Sequence, residues 1–340
     1  MYFMKAMILQ TCAPIEDKPL RMAELPDPAP GKGQLLLKVS ACGLCHTDLD
    51  TIEGRLQPGK LPIVLGHQVV GTIADIGDGV TGLKIGQRLG VTWLYSSCRR
   101  CRFCISGAEN LCTEALWTGK DADGGYAEYM VVGADFAHPI PESFSDSAAA
   151  PLLCAGVIGY RTFRLADIHD GDTVGIFGFG ASAHIVIQLI RHSFPKNPVF
   201  VFTRSAEHRR LAGKLGADWA ELPTQQPPRK IDRAMDFTPV GETVRTALSV
   251  MERAGLLVIN AIRKTTPVPP LDYADHLWHE RQIRSVANVT RDDARSFLPL
   301  AAEIPIEPVV QEFALARANR ALLALKHAEI NGAAVLRITK

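Results

Sequence analysis

The stretch Asp172–His192, DTVGIFGFGASAHIVIQLIRH, carries the pattern that decides the fold. Its first residues form a short, almost wholly apolar run, suited to a strand buried on both faces. Its last dozen repeat apolar side chains at helical spacing. Between them lies Gly178-Phe179-Gly180-Ala181-Ser182-Ala183, a G-x-G-x-x-A motif. Alone such a motif is weak; a strand before it and a helix after it supply the context in which it has meaning. Gly178 and Gly180 allow a tight turn and close approach of the backbone to a pyrophosphate, and Ala183 is an accepted substitute for the third glycine. The helix that follows offers unpaired N–H groups and the positive end of its dipole. The stretch therefore reads as a dinucleotide-binding turn, with an ordinary strand–helix turn as the alternative.

Downstream the same alternation continues. PVFVFT reads as a strand, SAEHRRLAGKLG as a helix stopped by Gly216, and IDRAMDF, GLLVINA and RQIRSVA as three further strands. This implies βαβ units and a doubly wound parallel sheet. Upstream, SDSAAAPLLCAGVIGYRTF reads as a helix with N-cap candidates Ser145 and Asp146. The first 135 residues differ, with short β-branched runs such as Gln34–Ser40, Val69–Ile76 and Tyr126–Val132 separated by Gly and Pro, the pattern of a β-rich lobe. The last 50 residues hold a polar helix, ALARANRALLALKHA, and a short strand, AAVLRIT.

Composition narrows the function. The 340 residues carry 37 Lys+Arg against 36 Asp+Glu, so no basic surplus points to nucleic acid or an anionic membrane. At 47% hydrophobic and 21% charged, the chain is that of a folded protein of about two domains. The most apolar segment, Val174–Ile190, is broken by glycines, His184 and Gln188, and no membrane span is expected. The opening MYFMKAMILQTCAPIEDK has no secretory pattern, so a cytoplasmic location with reduced thiols is expected.

Eight cysteines then need another reason. Cys98, Cys101, Cys104 and Cys112 follow C-x2-C-x2-C-x7-C in a polar stretch with little apolar periodicity. Four thiolates so spaced suit a closed tetrahedral Zn²⁺ site of structural type, against an iron–sulfur cluster or unrelated thiols. Cys45, His67 and Cys154 are scattered and, taken singly, read as core residues. Together they match a Cys2His metal set with its fourth position free.

The run Cys45-His46-Thr47-Asp48, then Gly66-His67, the four-cysteine lobe, Cys154 and the glycine-rich turn resembles, in order and spacing, the zinc-dependent alcohol dehydrogenases of the medium-chain dehydrogenase/reductase family. The resemblance implies a GroES-like catalytic domain, residues 1–154 and 289–340 with a structural-zinc lobe at 96–113, and a Rossmann domain, 155–288. It implies two zinc ions per chain, hydride exchange with NAD(P), a small alcohol or aldehyde substrate, and a homodimer or homotetramer. In the same terms Thr47 takes the alcohol proton, Asp48 orients His67, and His46 and Arg337 contact the pyrophosphate. Thr47 could equally be a strand residue bonded to backbone. Trp93 and Trp117 match pocket-lining positions, with core packing as the alternative.

The second strand decides the dinucleotide. About 20 residues past Ala183, where a carboxylate would bind the ribose of NAD, stands Thr203, followed by Arg204 and, one turn on, Arg209. NADP(H), or tolerance of both cofactors, is expected, unless the arginines are merely a solvated face. Two departures from the family pattern stand out: Gln68 where Glu follows the ligand His, and Asp50 where a His often relays the proton. Asp50 could relay a proton or be a surface charge. Cys12 and Cys42 are assigned to no metal. A zinc hydrolase or lyase on the same scaffold, or a non-catalytic zinc- and nucleotide-binding protein, are the competing readings.

Overall fold

The computed structural model describes residues 2–330 and 332–339. They divide into two compact units, one running to Cys154 and resuming over Val289–Glu303 and from Glu307 on, the other comprising Ala155–Asn288 with Ile304–Ile306.

In the first unit the long strand Gln34–Leu44 is the axis. Its side chains alternate, and Leu35, Leu37 and Val39 are completely buried, as a strand with one face on a core requires. It pairs antiparallel with Gln68–Ile76 and Tyr129–Gly133. Beyond Gln68–Ile76 the sheet continues through Arg88–Val91 to Ala137–Pro139. On the other side Ala333–Arg337 pairs antiparallel with Gln34–Leu44 and parallel with Val310–Ala314. A second sheet of Leu20–Pro26, Phe3–Leu9 and Ile63–Val64 covers the same core. Four of these strands, Gln34–Leu44, Gln68–Ile76, Tyr129–Gly133 and Ala333–Arg337, were legible as apolar runs. The strand Val310–Ala314 and the helix Arg291–Glu303 were not, because VQEFA is half polar and Pro299 sits inside RDDARSFLPLAAE.

The second unit holds a six-stranded, all-parallel sheet. Its order is Trp219–Glu221, Val199–Phe202, Val174–Phe177, Ile231–Asp236, Met251–Ile259, Gln282–Ser285. Numbered by sequence within this unit, that is 3-2-1-4-5-6, the doubly wound dinucleotide-binding order. The three central strands are almost wholly buried, which explains their continuous apolar runs. The three-residue strand Trp219–Glu221 and the helix Glu242–Ser249 are additions that the sequence pattern did not reveal.

The segment from Ser145 is not one helix. Ser145 caps Asp146–Pro151 by accepting from the Ala148 N–H, residues Leu152–Gly156 form a π-helical turn, and Val157–Leu165 is α-helical again. Pro151 has no N–H to continue the α ladder, and a wide turn there re-aims the side chains that follow, Cys154 among them. No helix among the described residues is long and apolar enough to cross a membrane.

Candidate functional site

Cys45 ends the central strand's excursion and caps the helix His46–Ile52. Its Sγ accepts the Thr47 N–H at 3.3 Å, and its own N–H donates to Asp48 Oδ2 at 2.9 Å. Thr47 is thus on a helix, not a strand, two residues from Cys45 and bonded through its N–H to that sulfur. His67 arrives from the strand Ile63–Val64 across Gly66, whose φ is +96°. A Cβ there would lie 2.4 Å from the Tyr126 ring, so only glycine lets the chain pass. Cys154 comes from the π turn.

These three distant residues meet. Cys45 Sγ lies 3.2 Å from His67 Nε2, and the ligand atoms of Cys45, His67 and Cys154 all fall within 4.8 Å of one another. Among the described residues no fourth His, Cys, Asp or Glu joins them. Behind the imidazole, Asp48 Oδ1 faces Nδ1 at 3.2 Å, and both side chains are 2% exposed. With Nδ1–H given to Asp48, Nε2 presents a lone pair toward the sulfurs. Hydrogen bonds from Cys154, then the charge and hydrogen bonds of His67 and Thr47, hold the Cys45 thiol well below its ordinary pKa, against the opposing effect of burial. Burial would lower His67, but the charges of Cys45 and Asp48 push it well up. Such a set, two sulfurs and an imidazole sharing protons in a buried spot, is one in which Zn²⁺ can displace those protons. The residues fit a three-ligand zinc site.

Sequence reasoning passed over Tyr126. It is fully buried, and burial followed by the nearby Asp48 charge pushes its phenol well above the ordinary value. The pair Gly124-Gly125 beside it was the available signal. Gln68 is buried, and its Nε2 meets no hydrogen-bond partner among the described residues. Asp50 is not a surface charge: it is 5% exposed and takes a 2.6 Å bond from Arg55 Nε, while Arg55 also pairs with Glu53. Trp93 stands beside the imidazole, ring centroids 6.0 Å apart, and Trp117 lies against Trp93, centroids 4.9 Å apart and rings tilted by 32°. Trp117 also packs on the core. Cys42 is a buried core residue, and Cys12 donates weakly to the Thr51 carbonyl.

The four-cysteine lobe converges as well. Cys98, Cys101, Cys104 and Cys112 bring their sulfurs within 4.8 Å of one another, with Cys98–Cys104 at 3.9 Å and Cys101–Cys104 at 3.6 Å. A tetrahedron of sulfurs at Zn–S distances of about 2.3 Å has edges of about 3.8 Å. Four protein ligands close that shell. Glu109, within the lobe and 5% exposed, is gripped by Arg291 through Nη2 at 2.6 Å and Nε at 2.9 Å, a bidentate clamp that ties the lobe to the helix Arg291–Glu303.

In the second unit Gly178 has φ +82°, and a Cβ there would sit 2.9 Å from Thr238 Cγ2. At Gly180 a Cβ would meet nothing within 4 Å, an open face against which a phosphate can lie. The helix Ala183–Ser193 begins directly after, and neither Ala181 nor Ala183 carries a side chain that would cover its N-terminus. Thr203 directly follows the second strand, buried, with its N–H on the Glu221 carbonyl. Arg204 is exposed. Arg209 Nη1 turns back to the Thr203 and Arg204 carbonyls at 2.9 Å each, so part of its guanidinium is already spent on its own loop. His46 is exposed at the first position of its helix, and the exposed Arg337 faces Glu312 at 3.4 Å.

The chain is similar to known proteins along its whole length. Residues 31–142 match the alcohol dehydrogenase GroES-like domain. A Mycobacterium tuberculosis protein named Probable alcohol dehydrogenase AdhA is 42% identical over 98% of this chain and 97% of its own. An alcohol dehydrogenase of Geobacillus stearothermophilus is 35% identical over 94% and 97%. Among solved structures, acetophenone reductase from Geotrichum candidum in complex with NAD superposes with a TM-score of 0.88 at 25% identity, covering 99% of this chain and 97% of that one. With the metal trio, the cysteine lobe and the parallel sheet already in place, these similarities lead to one conclusion: the chain belongs to the zinc-dependent alcohol dehydrogenases of the medium-chain dehydrogenase/reductase family.

Proposed function

We propose that this oxidoreductase interconverts small apolar or aromatic alcohols with their aldehydes or ketones, using NADP(H) in preference to NAD(H). The convergence of Cys45, His67 and Cys154, with Asp48 behind the imidazole and no fourth protein ligand among the described residues, carries the reading. Bound there, Zn²⁺ supplies a Lewis acid toward a hydroxyl or carbonyl oxygen, and the dinucleotide supplies or accepts the hydride. Asp48 keeps His67 in the tautomer whose Nε2 faces the metal position. The Thr47 hydroxyl, which reaches Cys45, takes the proton released by the alcohol. Asp50 is engaged by Arg55, so the proton passes from Thr47 to water without a carboxylate relay. Trp93, with Trp117 against it, offers an apolar wall that excludes water and prefers a flat substrate.

The open Gly180 face and the N-terminus of Ala183–Ser193 hold the pyrophosphate. Thr203 and exposed Arg204, with no carboxylate between them, accept a 2′-phosphate. The protein works in the cytoplasm and self-associates. Gln282–Ser285 is an edge strand exposed along its length, with Ile283 40% exposed, and an edge of this kind invites a second copy.

The test is metal analysis together with absorbance at 340 nm, using a panel of alcohols and aldehydes and both dinucleotides. Two zinc ions per chain and NADPH-linked turnover are expected. Hydrolysis without dinucleotide turnover, or zinc without any turnover, would reject the reading.

A further inference from the structure

The sheet order 3-2-1-4-5-6 reverses between Val174–Phe177 and Ile231–Asp236, and ligands of such sheets bind outside the carboxyl ends of the strands at that reversal. At this point, opposite Phe177, stands Asp236, a carboxylate with no exposed surface. Its Oδ1 accepts from the Thr238 N–H and hydroxyl, both at 2.8 Å, and its Oδ2 from Lys264 Nζ at 2.6 Å. Lys264 Nζ also donates to the Thr238 carbonyl at 2.7 Å and is only 13% exposed. A buried ion pair of this kind is costly to desolvate and is poor evidence of a purely stabilising role.

Its geometry suggests another role. Asp236 shapes the turn after the fourth strand, and Lys264 lies in the loop after the fifth, so the pair fastens the two loops to each other. Thr265 N–H on the Pro239 carbonyl and Gly241 N–H on Thr266 Oγ1 continue the seam. The turn so fixed presses on the pyrophosphate motif, because Thr238 Cγ2 is the atom that a Cβ on Gly178 would strike.

We propose that Asp236 and Lys264 are positioning residues for the nicotinamide half of the dinucleotide. They act by fixing the Thr238 turn and the loop that carries Lys264, which follow strands four and five on the far side of the reversal from strands two and three. The proposal rests on the dinucleotide reading above. Strands one to three serve the adenosine half, so the effect falls on the other half.

The experiment is fluorescence titration of the zinc-loaded protein with NADPH and NADH, alongside displacement by adenosine 5′-monophosphate and its 2′-phosphorylated form. Lys264→Met is expected to raise the Kd of the better dinucleotide by about tenfold. Both adenosine nucleotides keep their wild-type affinity, and Lys264→Arg restores most of the loss. Asp236→Asn provides a second, isosteric variant with the same expected pattern. A lowered Tm with unchanged dinucleotide Kd in both variants would overturn the proposal, and so would an equal loss for the adenosine nucleotides. Wild-type protein that binds no dinucleotide would overturn the cofactor reading and this inference together; wild-type binding with unaltered variants overturns this inference alone.

Discussion

Arg204 stands exposed beside Thr203, at the end of the strand that discriminates the ribose, while Arg209 is partly occupied by two backbone carbonyls. The proposed preference for a 2′-phosphate therefore rests mainly on Arg204. Arg204→Ala is expected to lower kcat/KM for NADPH by about 10- to 100-fold, the worth of a hydrogen bond to a charged group, and to leave NADH nearly unchanged. Kinetics with both cofactors check it. A second side chain tunes the metal site. Gln68 places a neutral amide next to a ligand histidine, where the relatives' carboxylate would add negative charge. Gln68→Glu should raise the pKa governing alcohol oxidation by about one unit, read from the pH–rate profile. An unmoved profile would show that position 68 does not act through charge. Cys45, His67 and Cys154 were legible as a set through the order and spacing they share with the family, since each taken singly reads as a core residue. Asp50 was less so: its environment depends on Arg55, five residues on, and no sequence pattern says that a carboxylate will be buried against an arginine.

Elements are joined by a few ionic seams. Glu53 follows the helix that carries Thr47 and Asp48; it accepts from the Ile15 N–H at 3.2 Å and from Lys326 at 2.7 Å, and pairs with Arg55. Burial alone would raise its pKa, but the bonds from Lys326, Arg55 and Ile15 outweigh it and bring it from the ordinary 4.5 to about 2. A carboxylate depressed in this way stabilises the fold above pH 4.5, and its contribution fades as pH falls from 4.5 through about 2. Glu53→Gln should therefore destabilise at neutral pH and match wild type near pH 2, as judged by urea unfolding at several pH values. Arg291→Met leaves the Glu109 carboxylate buried without its clamp and should cost about 3 kcal/mol. Loosening of the cysteine lobe should accompany it, measurable as faster zinc loss to a chelator, and Glu109→Gln on that background should recover part of the stability. Regular elements were readable where apolar spacing was strong, as in Val174–Phe177 and Ala183–Ser193. The π turn at Leu152–Gly156 was not, since an Ala-rich run reads as plain helix until Pro151 is given its structural weight.

At the scale of the whole molecule the two metal positions should separate in their response to chelation. The three-ligand site leaves one position for an exogenous ligand, whereas the four-cysteine shell is complete, so a chelator should abolish turnover before it lowers the melting temperature. Metal content, activity and unfolding followed together on one sample would show whether the two losses are staggered. The doubly wound parallel sheet and the β-rich lobe were both legible, since strand–helix alternation and dense Gly/Pro punctuation are local properties, whereas the strand order includes Trp219–Glu221, too short to show a pattern of its own. The pairing of Ala333–Arg337 with Gln34–Leu44 was not, because nothing local announces a partner so remote along the chain. That pairing also sets a timetable on the ribosome. The Ala41–Leu44 end of the strand leading to Cys45 emerges early and must wait, one flank unpaired, until Ala333–Arg337 has been made, while the nucleotide-binding unit can finish in between. The nascent chain is thus most open to sticking to its neighbours during the long middle of its own synthesis. A stop codon placed before Ala333 should yield insoluble protein, not a merely weakened enzyme.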